Sequence, residues 1–272
     1  MEQIDRHDRR QDQVPSGADN TGQAANSASA TDQRRRKATF FLLLGDALQL
    51  LLFGALALSI HLYPLLPIDV TITRTLQGNQ APWLRISMLA ISYPGSSFLL
   101  PALVILTVVI FWWIGDRLEA VFVVGFSACS LLLNLLLKFL VHRPRPSGSL
   151  VHIIVKSAGY SFPSGHVMAY VAYFGLLFAF GVILFRGWPW WRIALLIVSA
   201  AFVILIGPSR VYLGDHWASD VLGAYLIGGV LWGLAVGLYL PLKERSVLET
   251  RRSRARMRKK RFLRSFPTEG RM

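Results

Sequence analysis

The chain contains one cysteine and few acidic residues, and both shortages restrict what it can be. Cys129 alone cannot form an intrachain disulfide, so no disulfide framework holds the fold together. Only 15 of the 272 residues are Asp or Glu, against 29 Lys or Arg, which gives a formal net charge of +14. Charged residues make up 16% of the chain, whereas a soluble domain has about 25%. The sequence is therefore too apolar for an ordinary soluble protein.

The shortage of charge is concentrated in the middle of the chain. Residues 38–242 contain ten basic and six acidic residues, and the two ends carry the others. A segment of this length with so few charges cannot form a water-exposed surface. We predict one membrane domain over 38–242, with a disordered cytoplasmic tail at 1–37 and a basic cytoplasmic tail at 243–272.

The two polar tails indicate how the chain sits in a membrane. No short apolar run with a cleavage site begins near Met1, so we do not expect a signal peptide. A basic run at 34–37 adjoins the first apolar segment, and the tail at 243–272 holds twelve basic and three acidic residues. Such segments mark the cytoplasmic side and contact anionic lipid headgroups. We therefore expect the lipid bilayer, and no nucleic acid, as the partner of the basic tail.

Apolar segments separated by polar turns recur through the central region. A membrane-spanning helix needs about 20 mostly apolar residues. Six candidates follow, of which the fifth is short: 39–63, 93–114, 119–141, 165–185, 193–208 and 216–241. The pattern predicts an all-α, polytopic membrane protein, a bundle of six transmembrane helices.

Alternation of the predicted spans sets the side on which each loop falls. Both termini and the turns at 115–118 and 186–192 share one side, and their Arg or Lys flanks make it cytoplasmic. The loops at 64–92, 142–163 and 209–215 then face outwards, and the first of them is expected to contain an amphipathic helix from Asp69 on. Four basic residues break the positive-inside rule there: Arg143, Arg145, Lys156 and Arg210. A departure of this kind favours a functional site on the outer face.

Two polar clusters lie at the predicted ends of the third and fourth spans. Lys138 ends the third span, and Pro144 and Pro146 hold Arg145 stiffly at a turn where no helix can continue. Arg and Lys both suit phosphate oxygens, although basic residues that snorkel at a helix end would look the same. The sequence Pro-Ser-Gly-His at 163–166 opens the fourth span.

The Pro-Ser-Gly-His sequence has the features of an anion site. Ser164 is a good N-cap, Gly165 allows close approach of a ligand, and the N-terminus of a helix attracts anions. His166 would then lie beside the anion, where it can donate a proton. A plain helix cap followed by an interfacial histidine is the alternative reading of this short motif.

The third cluster combines Arg210, His216 and Asp220. His216 and Asp220 are four residues apart, so on a helix they share one face. Asp220 can accept the imidazole N–H and fix the tautomer, which makes His216 a candidate nucleophile. A structural His–Asp pair within a helix bundle would show the same spacing.

Convergence of the three clusters on one outward site predicts phosphoryl transfer. Three cations, Lys138, Arg145 and Arg210, would neutralise the phosphoryl oxygens as charge spreads in the transition state. His216 would attack phosphorus, and His166 would protonate the leaving oxygen and then activate water. Of the six acidic residues in 38–242, only Asp215 and Asp220 could approach a two-metal cage, so we expect no metal or other cofactor.

These clusters resemble the signature of the type 2 phosphatidic acid phosphatases, the lipid phosphate phosphatases, which share their site with vanadium haloperoxidases. The family pattern Lys-x6-Arg-Pro, Pro-Ser-Gly-His and Ser-Arg-x5-His-x3-Asp is intact, as Lys138…Arg145-Pro146, Pro163–His166 and Ser209-Arg210…His216…Asp220. The resemblance covers 39–241 and implies a metal-independent lipid phosphatase with its site at the outer membrane interface. It implies phosphate binding by Lys138, Arg145, Ser164, Gly165 and Arg210, with His166 as acid, His216 as nucleophile and Asp220 as its partner. His142, Arg143 and Lys156 are additions to the signature, expected to tune headgroup choice.

Several functions remain compatible with the sequence. The substrate is a phosphomonoester such as phosphatidic acid or phosphatidylglycerol phosphate, or alternatively undecaprenyl diphosphate. A transporter or binding protein for anionic lipids would explain the cations, but not why His216 has an Asp four residues on. A membrane-anchored nucleic-acid binder would explain only the basic tail. The missing signal peptide and the absence of Asn-x-Ser/Thr sequons favour the inner membrane of a bacterium.

Overall fold

The computed structural model describes residues 17–96, 98–185 and 187–264. Residues 1–16 of the expected N-terminal tail and 265–272 of the basic tail lie outside this range. By density of contacts the chain divides into two compact units, residues 1–42 and 43–272. The first contributes the N-terminal part of one long helix, and the second contains the other helices and every residue of the candidate site.

The described residues form nine α-helices and one π-helical turn, without a strand. In chain order they are α1 (Gly17–Leu62), α2 (Pro67–Gln77), α3 (Pro82–Ser96), α4 (Leu99–Ile114), α5 (Arg117–Val141), α6 (Gly165–Tyr170), the π-helical turn (Val171–Gly175), α7 (Leu176–Ile183), α8 (Trp190–Tyr212) and α9 (Ala218–Arg264). The prediction of an all-α protein is confirmed.

The helices include enough apolar spans for the predicted membrane bundle. Five are long and apolar enough to cross a bilayer, and the bent pair α3 and α4 makes a sixth when counted as one span. The five are Arg36–Leu62, Arg117–Val141, Gly165–Ile183, Trp190–Tyr212 and Ala218–Val247. Large apolar side chains such as Leu131 and Leu132 remain exposed on α5, as expected for a surface that contacts lipid. The protein is an integral membrane protein.

The segment 64–92, predicted as a loop with an amphipathic helix from Asp69 on, contains two helices. Gly78 and the two prolines Pro67 and Pro82 suggested an irregular segment, but each proline stands at the first position of a helix, α2 or α3. Proline is favoured there because that position needs no N–H donor and its φ already suits a helix. The predicted second span at 93–114 is correspondingly wrong at its start, since α4 begins at Leu99.

Helix α8 continues past Gly207 and Pro208, where the fifth span was predicted to stop. A proline deprives the carbonyl four residues earlier of its N–H donor. Tyr225 of α9 replaces that donor, because its hydroxyl lies 3.3 Å from the Ile204 oxygen and 2.6 Å from the Val203 oxygen. Gly207 makes room for the tyrosine, since a Cβ there would lie 2.7 Å from its hydroxyl. The helix therefore extends to Tyr212 and carries Arg210 in its last turn.

Helices α1 and α9 extend beyond the predicted limits of the membrane domain. Helix α1 begins at Gly17 and α9 ends at Arg264, so neither 37/38 nor 242/243 coincides with a helix end. The tail sequences are rich in Ala, Gln, Arg and Lys. These residues have high helix propensity, so a helix can continue into a polar segment. The division into a membrane domain and two tails stays a prediction.

The segment 165–183 is the most enclosed of the candidate spans. In its apolar window of 18 residues 61% is buried, compared with 11% to 50% in the corresponding windows of the other four. Its helix α6 contacts α3, α5, α8 and α9. Phe162, Tyr170 and Phe174 pack in the buried cluster around it. The start of α6, the ends of α5 and α8 and the start of α9 therefore meet at one end of the bundle.

Candidate active site

A buried loop between α8 and α9 carries Asp215 and His216 and follows directly on Arg210 in the last turn of α8. Arg210, Asp215 and His216 each have no more than 2% of their surface exposed. The backbone of this loop packs directly against a second loop, where Ile154 N donates to the Leu213 oxygen at 3.0 Å. Gly214 has φ +72°, and a Cβ there would lie 2.1 Å from the His152 oxygen, so only glycine fits.

His216 and Asp220 meet, although not on one helix. The prediction that both lie on the sixth span is wrong, because α9 begins at Ala218. The Asp220 Oδ2 accepts a hydrogen bond from the Trp217 backbone N–H at 2.8 Å and so caps the start of the helix. His216 Nδ1 lies 3.5 Å from the same oxygen, and Ser161 Oγ donates to it as well. Asp220 is thereby held against the imidazole.

Arg143 holds the other side of the Asp220 carboxylate. Its Nη1 donates to Asp220 Oδ1 at 2.5 Å and to Ser219 Oγ at 2.7 Å. Its Nη2 donates to Asp69 Oδ2 at 2.7 Å, and its Nε to the Pro64 oxygen at 2.9 Å. Only 1% of the residue is exposed. The expectation that Arg143 tunes headgroup choice is wrong, because every guanidinium nitrogen is bonded within the protein.

Asp69 is a member of this network that the sequence did not identify. It stands in the first turn of α2 with 1% exposure and accepts hydrogen bonds from Ser219 N at 2.8 Å and Ser219 Oγ at 2.6 Å. It therefore ties the start of α9 and Arg143 to α2. Its only sequence signal is an acidic residue early in an amphipathic helix, a pattern shared by many surface helices.

The two arginines predicted to bind phosphate converge on Asp215. Arg145 Nη1 lies 2.8 Å from Asp215 Oδ1 and 2.9 Å from the Asp215 backbone oxygen, while its Nε donates to the Gly159 oxygen at 3.1 Å. Arg210 donates through Nη2 to Asp215 Oδ2 and through Nη1 to Ser92 Oγ. His216 Nε2 lies 3.4 Å from Asp215 Oδ2. The structure thus gathers both guanidinium groups and one imidazole nitrogen around a single carboxylate.

Asp215 is ionised in this setting. Burial alone would raise the pKa of its carboxyl, but the positive charges of His216, Arg210 and Arg145 together lower that pKa to about 2. The carboxylate therefore carries its negative charge at neutral pH.

Lys138 completes the cationic set from the last turn of α5. The residue is half-buried, and the charges of Arg145, Arg210, Asp215 and Asp220 act on its ammonium group. Its ammonium has no hydrogen-bond partner among the described residues. A flexible lysine in this position can follow an oxygen that the fixed arginines do not reach.

The Pro-Ser-Gly-His segment begins α6 as expected and faces this cluster. Ser164 N donates to the backbone oxygen of Asp220 at 3.2 Å, and Asn134 Nδ2 donates to the backbone oxygen of Pro163 at 3.0 Å. Ser164 Oγ is buried and has no hydrogen-bond partner among the described residues. Because Ser164 does not cap the helix with its side chain, its hydroxyl is available to a ligand.

His166 is held from the opposite side, by α3. Its Nε2 lies 2.8 Å from Ser96 Oγ. The charges of Arg210, His216, Asp215 and Lys138 act on it, which places the imidazole beside the cluster, although no hydrogen bond joins it to His216. No sequence pattern pointed to Ser96, which belongs to a segment predicted to be apolar.

An apolar cavity adjoins His166. It has a volume of about 510 Å³ and lies between α3, α4, α5 and α6. Leu100, Val104, Leu131 and Tyr173 are among its lining residues, together with His166 itself. His166 therefore borders an apolar space that can hold hydrocarbon.

Comparison with known proteins gives matches over most of the described helices. Residues 118–243 match the family model of the PAP2 superfamily. Phosphatidylglycerophosphatase B of Bacillus subtilis (strain 168) is 34% identical over 191 residues, which are 69% of this chain and 91% of that protein. The crystal structure of a transmembrane PAP2 type phosphatidylglycerolphosphate phosphatase from Bacillus subtilis superposes with a TM-score of 0.62 and 27% identity. That match covers 71% of this chain and 94% of the solved one.

Proposed function

The chain belongs to the PAP2 superfamily, and on this premise we propose that it hydrolyses a lipid phosphomonoester through a phosphohistidine formed at His216. It is a membrane phosphatase that acts on lipid phosphate. The observation that carries the proposed mechanism is the convergence of Arg145, Arg210 and His216 Nε2 on one buried point.

The first step is attack on phosphorus by His216. The substrate phosphoryl group binds between Lys138, Arg145 and Arg210, with the hydroxyl of Ser164 and the N-terminus of α6 as further donors. Asp220 accepts the Nδ1–H, which leaves the Nε2 lone pair directed at phosphorus. The N–P bond forms as the bond from phosphorus to the lipid oxygen breaks, and the cations stabilise the charge of the transition state.

His166 transfers the protons of both steps. As an imidazolium it protonates the departing lipid alkoxide and becomes neutral. It then accepts a proton from water, whose oxygen attacks the phosphohistidine, so that the N–P bond breaks and inorganic phosphate leaves. Ser96 orients the ring through its Nε2. After both steps His166 and His216 have returned to their starting protonation states.

No metal is required by this arrangement of charges. Each carboxylate near the phosphoryl site is already paired with arginine, Asp215 with Arg145 and Arg210, and Asp220 with Arg143. A divalent ion would have to compete with these guanidinium groups for the oxygens it needs. The arginines and Lys138 supply the positive charge that a metal supplies in other phosphatases.

The apolar cavity beside His166 suggests how a lipid is recognised. A hydrocarbon chain in this space would place the headgroup next to His166 and the cations. The similar protein and the similar crystal structure from Bacillus subtilis are both named for action on phosphatidylglycerol phosphate, which makes that lipid the first substrate to test. We place both termini in the cytoplasm and the site on the outer face of a bacterial plasma membrane, since the basic flanks of the spans lie on the opposite side.

Phosphate release by the detergent-purified protein in EDTA is the direct assay. We expect release from phosphatidylglycerol phosphate to exceed that from phosphatidic acid and from undecaprenyl diphosphate. EDTA should leave the rate unchanged, whereas removal of a catalytic metal would lower it by orders of magnitude. Faster release from undecaprenyl diphosphate would overturn the substrate assignment, and a rate restored only by added Mg²⁺ would overturn the mechanism.

The acid limb of the pH–rate profile should report His216. Burial lowers the pKa of its imidazole below the ordinary value, and the Asp220 carboxylate opposes that shift. His216 is nucleophilic only when neutral, so a lowered pKa keeps it active at mildly acidic pH. In Asp220→Asn the opposing charge is lost, so the acid limb should move to still lower pH while kcat falls by about 10⁴-fold. Ionisation of the substrate affects the profiles of the parent and of Asp220→Asn equally, so it does not account for a difference between them. An acid limb at higher pH in the variant would contradict the assignment to His216.

A further inference from the structure

Asp215 is the one residue of the cluster for which the proposed mechanism has no use. Its carboxylate is nevertheless bonded to Arg145 and Arg210 and lies 3.4 Å from His216 Nε2. These are the groups that the reaction needs for the phosphoryl oxygens and for attack on phosphorus. Among the described residues, no other carboxylate contacts all three.

A carboxylate and a phosphoryl group present similar oxygens to a guanidinium. Arginine binds both through two parallel hydrogen bonds. Two such anions cannot share one pocket, because their oxygens would overlap and like charges repel strongly at this distance. A bound substrate and the observed position of the Asp215 side chain therefore exclude one another.

We propose that Asp215 is an internal substitute for the phosphoryl group, which holds Arg145 and Arg210 in place before substrate binds and gives them up when it arrives. This inference rests on the proposed phosphate site. Asp215 is then a positioning residue that also lowers the affinity of the site for anions.

The hydrogen-bond donors of the site are better matched to a phosphoryl group than to a carboxylate, as expected if the two anions exchange. The Asp215 carboxylate has two oxygens and does not satisfy every donor. Arg210 Nε and Ser164 Oγ stay buried without a partner among the described residues. A phosphoryl group has three terminal oxygens and can accept from more of these donors. Arg143 differs from Arg210 in this respect. Its nitrogens are all bonded within the protein and face no nucleophile.

Both arginines keep a second attachment when the carboxylate withdraws. Arg145 remains bonded to the backbone oxygens of Asp215 and Gly159, and Arg210 remains bonded to Ser92 Oγ. The phosphate site can therefore survive departure of the Asp215 side chain. In the same way, return of the carboxylate after hydrolysis would help to expel inorganic phosphate, the product that the arginines bind.

The sign of the effect on phosphate affinity separates this role from a structural one. The probe is inorganic phosphate as a competitive inhibitor of lipid hydrolysis. Asp215→Asn removes the charge but keeps the shape, so its Ki for phosphate should fall by at least about tenfold relative to the parent. If Asp215 only holds the arginines, the Ki should instead stay the same or rise, and the proposal is then wrong.

Three further variants complete the experiment. Asp116→Asn removes one negative charge at the far end of α5, about 33 Å along the helix from Lys138, and should leave the Ki unchanged. Arg145→Gln should raise the Ki in the parent background.

If phosphate does not inhibit the parent, or if Arg145→Gln has no effect, the phosphate site and the proposed function fail together. If these two results are as expected and only Asp215→Asn departs from its expected result, this inference fails alone. Asp215→Ser repeats the test should the Asn variant not fold, and loss of folding in both would show that the carboxylate cannot leave, which also overturns the proposal.

Discussion

Replacing His216 with alanine is expected to reduce lipid dephosphorylation by about 10⁴-fold or more. The substitution removes the atom that bonds to phosphorus, and no other described residue offers a nucleophilic nitrogen at the same position between Arg145 and Arg210. The fold should tolerate the change, because Asp220 keeps Arg143, Ser161 and the Trp217 backbone as partners. Binding of substrate should therefore persist while turnover is lost.

Turnover and binding need separate measurements in this variant. Phosphate release gives the first, and retention of the lipid on immobilised His216→Ala protein gives the second. His61→Ala is the matched control, since His61 is exposed at the end of α1 and takes no part in the site. Full activity in His216→Ala would exclude it as the nucleophile, and equal losses in both variants would show that the effect is not specific to the site.

Replacing Arg143 with methionine is expected to destabilise the protein by about 3–5 kcal/mol. The change leaves Asp69 and Asp220 buried without the guanidinium that now bonds to both, at 2.7 Å and 2.5 Å. Removal of one partner from a buried ion pair costs more than the pair itself contributes, because the remaining charge stays desolvated. Activity should fall as well, since the Asp220 carboxylate would lose the hydrogen bond from Arg143 to its Oδ1.

A second substitution distinguishes charge from packing at this position. Asp69→Asn in the Arg143→Met background removes one of the two unpaired charges and should restore part of the lost stability. Thermal unfolding in detergent gives the comparison, with Arg85→Gln as the control because Arg85 is an exposed arginine of α3. An unfolding temperature of Arg143→Met that equals that of the control would contradict a role for Arg143 in the fold.

Local spacing was sufficient to select residues that the structure brings together. The three short patterns around Lys138, Ser164 and His216 carry their own chemistry, since each combines a turn or helix end with side chains that bind anions or transfer protons. The structure brings all of them to one end of the bundle. The apolar segments likewise predicted membrane helices, because their length and composition depend on the bilayer and not on tertiary partners.

What the sequence could not predict depends on contacts between distant segments. Pro208 suggested a helix end because its missing donor is a local property, whereas the replacement donor, Tyr225, lies on another helix. Arg143 was expected to tune headgroup choice, since the sequence does not reveal its partners Asp69 and Asp220, which are more than seventy residues away. Asp215 gave no sign that it faces the arginines, since only the fold of the loop turns it towards them.

The central claim is that the phosphoryl group passes through a covalent bond to His216. The measurement is a rapid acid-free quench of a single turnover with lipid that carries a radiolabelled phosphate, followed by peptide mapping. We expect the label to appear transiently on the peptide that contains His216, to withstand alkali but not acid, and to be absent from His216→Ala. Complete release of labelled phosphate without any label on the protein at any time during the turnover would contradict the claim and favour direct attack by water.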